Sequence, residues 1–160
     1  MVRLLKTKTM KRQVFLGEAK LSYHKAKSPK EQQIRSSRDA YNIFRDLIGD
    51  LVHHQECYVV AYLNRANKVL WAEIIHIGGA TSCIQDNKAI VRRALVGGVQ
   101  AMIVGHNHPS GSKTPSESDR RSTKDLKRAL DLFDISLLDH IIVCDEGYYS
   151  FADHGEGSLC

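Results

Sequence analysis

Long apolar runs are missing from these 160 residues. No stretch approaches the ~18 consecutive apolar residues that a membrane-spanning helix needs, so no integral membrane protein is expected. Cysteine is sparse and scattered: Cys57, Cys83, Cys144 and Cys160 form no C-x-x-C pair, which argues against a thiolate zinc knuckle or a disulfide framework. The basic opening MVRLLKTKTMKRQVF lacks the continuous apolar core of a secretory signal, and a cytoplasmic location is the expectation. Acidic residues are nearly absent at first and then common. Residues 1 to 38 hold eleven Lys and Arg against Glu18 and Glu31, a net +9, whereas the rest holds twelve cationic and sixteen anionic side chains, a net −4. Such a segment can bind phosphate backbones or acidic partners, or can serve only as a solvated tail.

What is present is an ordinary globular composition, 42% hydrophobic and 26% charged, in the size range of one domain. The expected organisation is a basic N-terminal segment over 1–36 and a folded domain over 37–160. QVFLGEAKLSYH (13 to 24) alternates well enough to predict a strand, and the polar KAKSPKEQQIRSS reads as a linker. Ser37 is expected to cap a helix over 38 to 48 with Ala40, Tyr41, Phe44, Leu47 and Ile48 on its apolar face. CYVVAYLN and KVLWAEIIHIG, rich in β-branched residues and separated by NRAN, predict a hairpin. Asp86 opens a second helix with Ile90, Val91, Ala94 and Leu95 on one face. VQAMIV predicts a buried central strand, and a third helix over about 117 to 133 presents Leu126, Ala129, Leu130 and Phe133. ISLLDHIIVCD and GYYSF complete the pattern as strands. The order points to an α/β protein with a mixed β-sheet flanked by helices.

The chemistry concentrates in GHNHPSGSKTPSESD, residues 105 to 119. Side chains alternate along an extended segment, so His106 and His108 leave the central strand's end on one side. Pro109, Ser110 and Gly111 turn the chain, and Ser116 starts a helix that brings Asp119, in its first turn, back towards the strand. Two imidazoles, one carboxylate and an open fourth position are the donor set of a catalytic zinc site. Each piece also has a plainer explanation: Ser116-x-x-Asp119 is a capping box, and a His-x-His pair can be structural. His53-His54 reads as a solvated loop, and Asp139-His140 as a buried pair whose inward member makes a structural or site-orienting hydrogen bond.

His106-x-His108, followed after seven residues by Ser116-x-x-Asp119, resembles the JAMM signature of JAB1/MPN+ metalloproteases. The wider stretches AMIVGHNHPSGSKTPSESD and LLDHIIVCDEGYYSFADHG resemble more narrowly the RadC family, over about Ser37 to Gly155. The resemblance implies a JAB1/MPN architecture, which is cytidine deaminase-like, although the H-x-E and P-C-x-x-C motifs of the deaminases themselves are absent. It implies one Zn²⁺ on His106, His108 and Asp119, with Ser116 helping to hold a developing oxyanion. It further implies an upstream glutamate as proton shuttle, matched by Glu56 with Glu73 as its rival. The implied activity is that of a zinc-dependent hydrolase, a metallopeptidase acting on a peptide or protein. The alternative is a DNA-associated accessory protein that binds through residues 1–38. Asn107 stands where the ubiquitin-cleaving peptidases usually carry Ser or Thr, so their isopeptide specificity does not transfer.

Overall fold

The computed structural model describes residues 32–78 and 86–160. The strand expected over 13 to 24 and most of the basic segment lie outside the described residues. Among the described residues, three α-helices and five strands follow one another as α1 (Ser37–Ile48), β1 (Cys57–Leu63), β2 (Val69–Ile77), α2 (Asn87–Gly97), β3 (Ala101–Asn107), α3 (Glu117–Asp131), β4 (Ser136–Cys144) and β5 (Gly147–Ser150). The strands form one sheet in the order β2-β1-β3-β4-β5. Only β3 and β4 run parallel, because α3 carries the chain across between them; the other neighbours are antiparallel. The mixed α/β sheet read from the sequence is therefore the one observed.

The helices divide between the two faces. Alternation along β1 sends Val59, Ala61 and Leu63 to the face covered by Ala40, Phe44 and Ile48 of α1. It sends Tyr58, Val60 and Tyr62 to the opposite face, covered by Ile90 and Ala94 of α2 and Leu126 and Leu130 of α3. Each fully buried Leu, Ile or Phe contributes roughly 1.5–3 kcal/mol of apolar transfer. The two faces together hold the sheet between helical layers.

Several local expectations shift. The cap of α1 is Ser36, not Ser37, because Asp39 sits three residues after Ser36 and closes a capping box with it. Phe133 does not extend the apolar face of α3: the helix stops at Asp131, and the ring is exposed beyond its end. Leu95 is likewise on the solvent side of α2, because it follows Ala94 by 100° and α2 contributes only a narrow inward stripe. Leu47 is exposed at the rim of α1. The central strand runs further than VQAMIV suggested, through His106 to Asn107.

Candidate metal centre

Strand β3 lies between β1 and β4, so its backbone groups are used on both sides and its side chains alone decide what each face offers. Met102, Val104 and His106 share the face of α2 and α3, and His106 is 2% exposed. Just past the strand, His108 Nδ1 lies 2.7 Å from the Ser112 carbonyl oxygen. That oxygen can only accept, so Nδ1 carries the hydrogen and Nε2 points back towards His106. The two Nε2 atoms are 2.9 Å apart.

Asp119 completes the group from the first turn of α3. Its placement is local chemistry: Ser116 is the N-cap, its hydroxyl accepting from the Asp119 amide, and Asp119 Oδ2 accepts from the Ser116 amide at 2.6 Å and from the Ser116 hydroxyl at 2.7 Å. The same carboxylate stands 3.4 Å from His106 Nε2 through Oδ1 and 3.7 Å from His108 Nε2 through Oδ2. Capping box and ligand group are one arrangement, not rival explanations. Donor atoms about 2.1 Å from a tetrahedral zinc ion lie about 3.4 Å from one another; here one donor atom from each residue lies within 4.8 Å of the others. Two bare imidazole nitrogens this close need a positive charge between them, and a carboxylate beside them favours it further. His106, His108 and Asp119 thus form a group that could hold a metal ion, and its donor chemistry fits zinc.

The charges follow the same logic. Burial lowers the pKa of His106 to about 4, against the opposing pull of Asp119, so the ring is neutral at physiological pH and its lone pair is available. The Asp119 carboxylate beside it raises the pKa of His108, outweighing its burial. Burial opposes the ionisation of Asp119, yet the neighbouring imidazoles of His108 and His106 and the hydrogen bonds from Ser116 hold it well below the usual carboxylate range.

A cleft of about 260 Å³ opens in front of the group, lined by Glu56, Tyr58, Asn87, His106, Ser118, Asp119, Ser122, Asp125 and His140. Glu56 precedes β1, half-buried, and burial raises its pKa, with Asp119 adding to the rise and His108 opposing it. A carboxyl tuned upwards beside such a group suits proton transfer near neutral pH. Glu73 stands elsewhere: it lies on β2, accepts from the Trp71 indole at 3.2 Å and pairs with Arg93 at 3.3 Å. Ser116 is absent from the cleft lining, its hydroxyl engaged with Asp119.

Asn107 points to the other face. Its Oδ1 accepts from the Cys57 amide at 2.7 Å, and its Nδ2 donates to the carbonyls of Val52 at 3.1 Å and Gln55 at 2.9 Å. These bonds fix the backbone on both sides of Glu56. The residue between the two histidines therefore holds the turn that carries the glutamate. No sequence pattern announces this, because it depends on where β1 starts relative to β3. Asp139, the partner in the Asp-His pair, accepts from Ser150 Oγ, Ala152 N and His140 N and pins β4 to the turn after β5. His140 instead faces His106, and Thr123 of α3, which no motif marks, lies behind it.

A sandwiched mixed α/β sheet with a two-histidine, one-carboxylate group at a central strand's end defines a class of small domains with a candidate metal centre. The chain belongs to the RadC-like JAB domain family, whose pattern it matches over residues 34–156. Similar proteins include a UPF0758 protein of Flavobacterium johnsoniae, 38% identical over 126 residues, covering 79% of this chain and 54% of that protein. The UPF0758 protein YfjY of Escherichia coli is 41% identical over 101 residues, covering 63% of each. One from Xylella fastidiosa is 44% identical over 101 residues, covering 62% of this chain and 45% of its own. The chain thus spans about half to two thirds of the length of these curated relatives. Among the described residues, no helix is long and apolar enough to cross a membrane.

Proposed function

We propose that this domain is a zinc-dependent hydrolase of the metallopeptidase type. The observation that carries the reading is the convergence of His106, His108 and Asp119, of which His106 and Asp119 line a cleft that also holds Glu56. A zinc ion on these residues would supply a Lewis acid and lower the pKa of a coordinated water to near 7. Glu56 would serve as the proton carrier in the cleft, accepting a proton from the attacking water and passing it to the leaving amine, a task suited to its raised pKa. Asn107 keeps Glu56 at the mouth of the cleft by tying down Val52, Gln55 and Cys57. Ser116 would donate its hydroxyl hydrogen to the developing oxyanion, which requires turning it away from Asp119 Oδ2. The substrate class is a peptide or protein, and the compartment is the cytoplasm, consistent with the free, buried thiols of Cys57, Cys144 and Cys160.

The test is to quantify zinc in purified, zinc-replete protein and to screen peptide and isopeptide libraries with wild type and Glu56→Gln. The proposal expects near-stoichiometric zinc in both and cleavage by wild type alone. A fully folded wild type that takes up no zinc contradicts it.

The net +9 of residues 1 to 38 favours a second reading, in which the basic segment associates the protein with DNA. It expects binding that weakens steeply with salt and vanishes when residues 1–38 are deleted; salt-independent or absent binding contradicts it.

A further inference from the structure

We infer that Thr123 is a positioning residue that sets which nitrogen of His106 faces the cleft. The argument is a count of hydrogens along one chain of contacts. Thr123 Oγ1 lies 2.6 Å from the main-chain oxygen of Asp119, one helical turn back on α3. A carbonyl only accepts, so the single hydroxyl hydrogen points there. The same Oγ1 is 2.5 Å from His140 Nδ1, and having spent its hydrogen it must accept, so Nδ1 of His140 carries one. His140 is fully buried, its ring stacked on Phe151 with centroids 4.9 Å apart, and its two nitrogens face Thr123 and His106 with no carboxylate at hydrogen-bond distance to call for a second ring hydrogen. Its Nε2 is therefore bare and, 2.8 Å from His106 Nδ1, accepts a hydrogen from it. His106 is left with its Nε2 lone pair facing His108 and Asp119.

The two histidines of the group reach the same tautomer by different means. His108 uses the Ser112 carbonyl, which has no other option. His106 sits on a central strand whose carbonyls serve the ladders to β1 and β4, so only a side chain can face its Nδ1. That side chain is His140, which could accept or donate, and Thr123 removes the ambiguity. Thr123 in turn is oriented by the carbonyl of Asp119, the third member of the group, so α3 supplies both the carboxylate and the orienting hydroxyl.

The consequence for metal affinity rests on the metal reading proposed above; the tautomer assignment does not. Thr123→Val keeps the shape and removes the acceptor, so the hydrogen on His140 moves to Nε2 and displaces that of His106 onto the nitrogen facing the cleft. Long-range ¹H–¹⁵N correlation spectra of chelator-treated protein read the tautomers directly. Wild type and Thr123→Ser are expected to show His106 protonated at Nδ1, and Thr123→Val at Nε2. Zn²⁺ titration in competition with a chromophoric chelator is expected to show Thr123→Val weakened by roughly 10- to 100-fold, with Thr123→Ser close to wild type. Thr123→Ala carries the same comparison should Thr123→Val fold poorly. Wild type protonated at His106 Nε2, or Val and Ala variants with unchanged tautomer, overturns the inference. A wild type that binds no Zn²⁺ but shows the stated tautomers overturns the metal reading and leaves the inference standing.

Discussion

The two faces of the sheet at the end of β3 are built for opposite ends. On the face of α1, Gly105 lets Phe44 approach so closely that an added Cβ would lie 2.7 Å from its ring and 2.9 Å from the Ile141 carbonyl. Next to it, Asn107 spends its oxygen and its amide group on backbone partners. On the face of α3, one residue along, His106 turns a lone pair towards His108, Asp119 and an open polar cleft. A strand of period two can keep a closed, stabilising face and a polar face open to a cleft on adjacent residues. The closed face is what allows the other to stay open, since its bonds hold both the strand and the Glu56 turn.

The sharpest way to break this contrast is to disable the open face alone. Glu56→Gln is expected to lower peptide hydrolysis by about 10²–10⁴-fold with zinc content unchanged, as measured by steady-state assay beside metal analysis. His106→Ala or Asp119→Ala removes a member of the group and should abolish zinc binding, while circular dichroism shows the fold retained. Disabling the closed face should do the reverse. Asn107→Ala strands one amide and two carbonyls, and is expected to cost roughly 3–4 kcal/mol in urea denaturation and to reduce activity only through the loosened Glu56. A variant that loses activity without losing stability would show that Asn107 acts on the open side after all.

Acidification tests the open face in another way. The folded-state pKa of His106 is lowered to about 4 by burial, and His140 is lowered as well, so below about 6.5 the unfolded chain binds protons that the folded one resists. The contribution of these two groups is therefore full above pH 6.5 and lost as pH falls towards 4. At 1.36 kcal/mol per unit, His106 alone accounts for about 3 kcal/mol. His108, raised by Asp119, acts with the opposite sign, but its contribution is already complete below its unfolded pKa and does not mask the loss. Thermal unfolding of chelator-treated protein from pH 7 to 4.5 checks the slope, and His106→Gln should flatten it. The smallest effect on the open face is expected for Gly105→Ala, which must displace both the Phe44 ring and the Ile141 carbonyl at about 3 kcal/mol or more while leaving zinc content intact.

Much of this was legible in the sequence, and the parts that were not have a common cause. β-Branched residues around the NRAN turn disclosed the hairpin, a short continuous apolar run the central strand, and period-two alternation the His-x-His geometry, because each of these signals acts over neighbouring residues. The capping box disclosed how Asp119 would return to the strand. Hidden were the contacts made between elements far apart in the chain: Asn107 with Cys57, His140 with Thr123, and Trp71 with Arg93 around Glu73. Those depend on register, and β1 meets β3 with Tyr58 opposite His106, an offset that nothing local encodes. Helix ends were misplaced for a related reason. Ser36 and Ser37 are equally good caps in isolation, and only Asp39 decides between them.

X-ray diffraction from zinc-replete crystals at the zinc absorption edge tests the central claim most directly. The account predicts one anomalous peak about 2.1 Å from His106 Nε2, His108 Nε2 and an Asp119 carboxylate oxygen, with Glu56 across the cleft. A well-ordered domain with no peak at that position, or with zinc held by other residues, would contradict it.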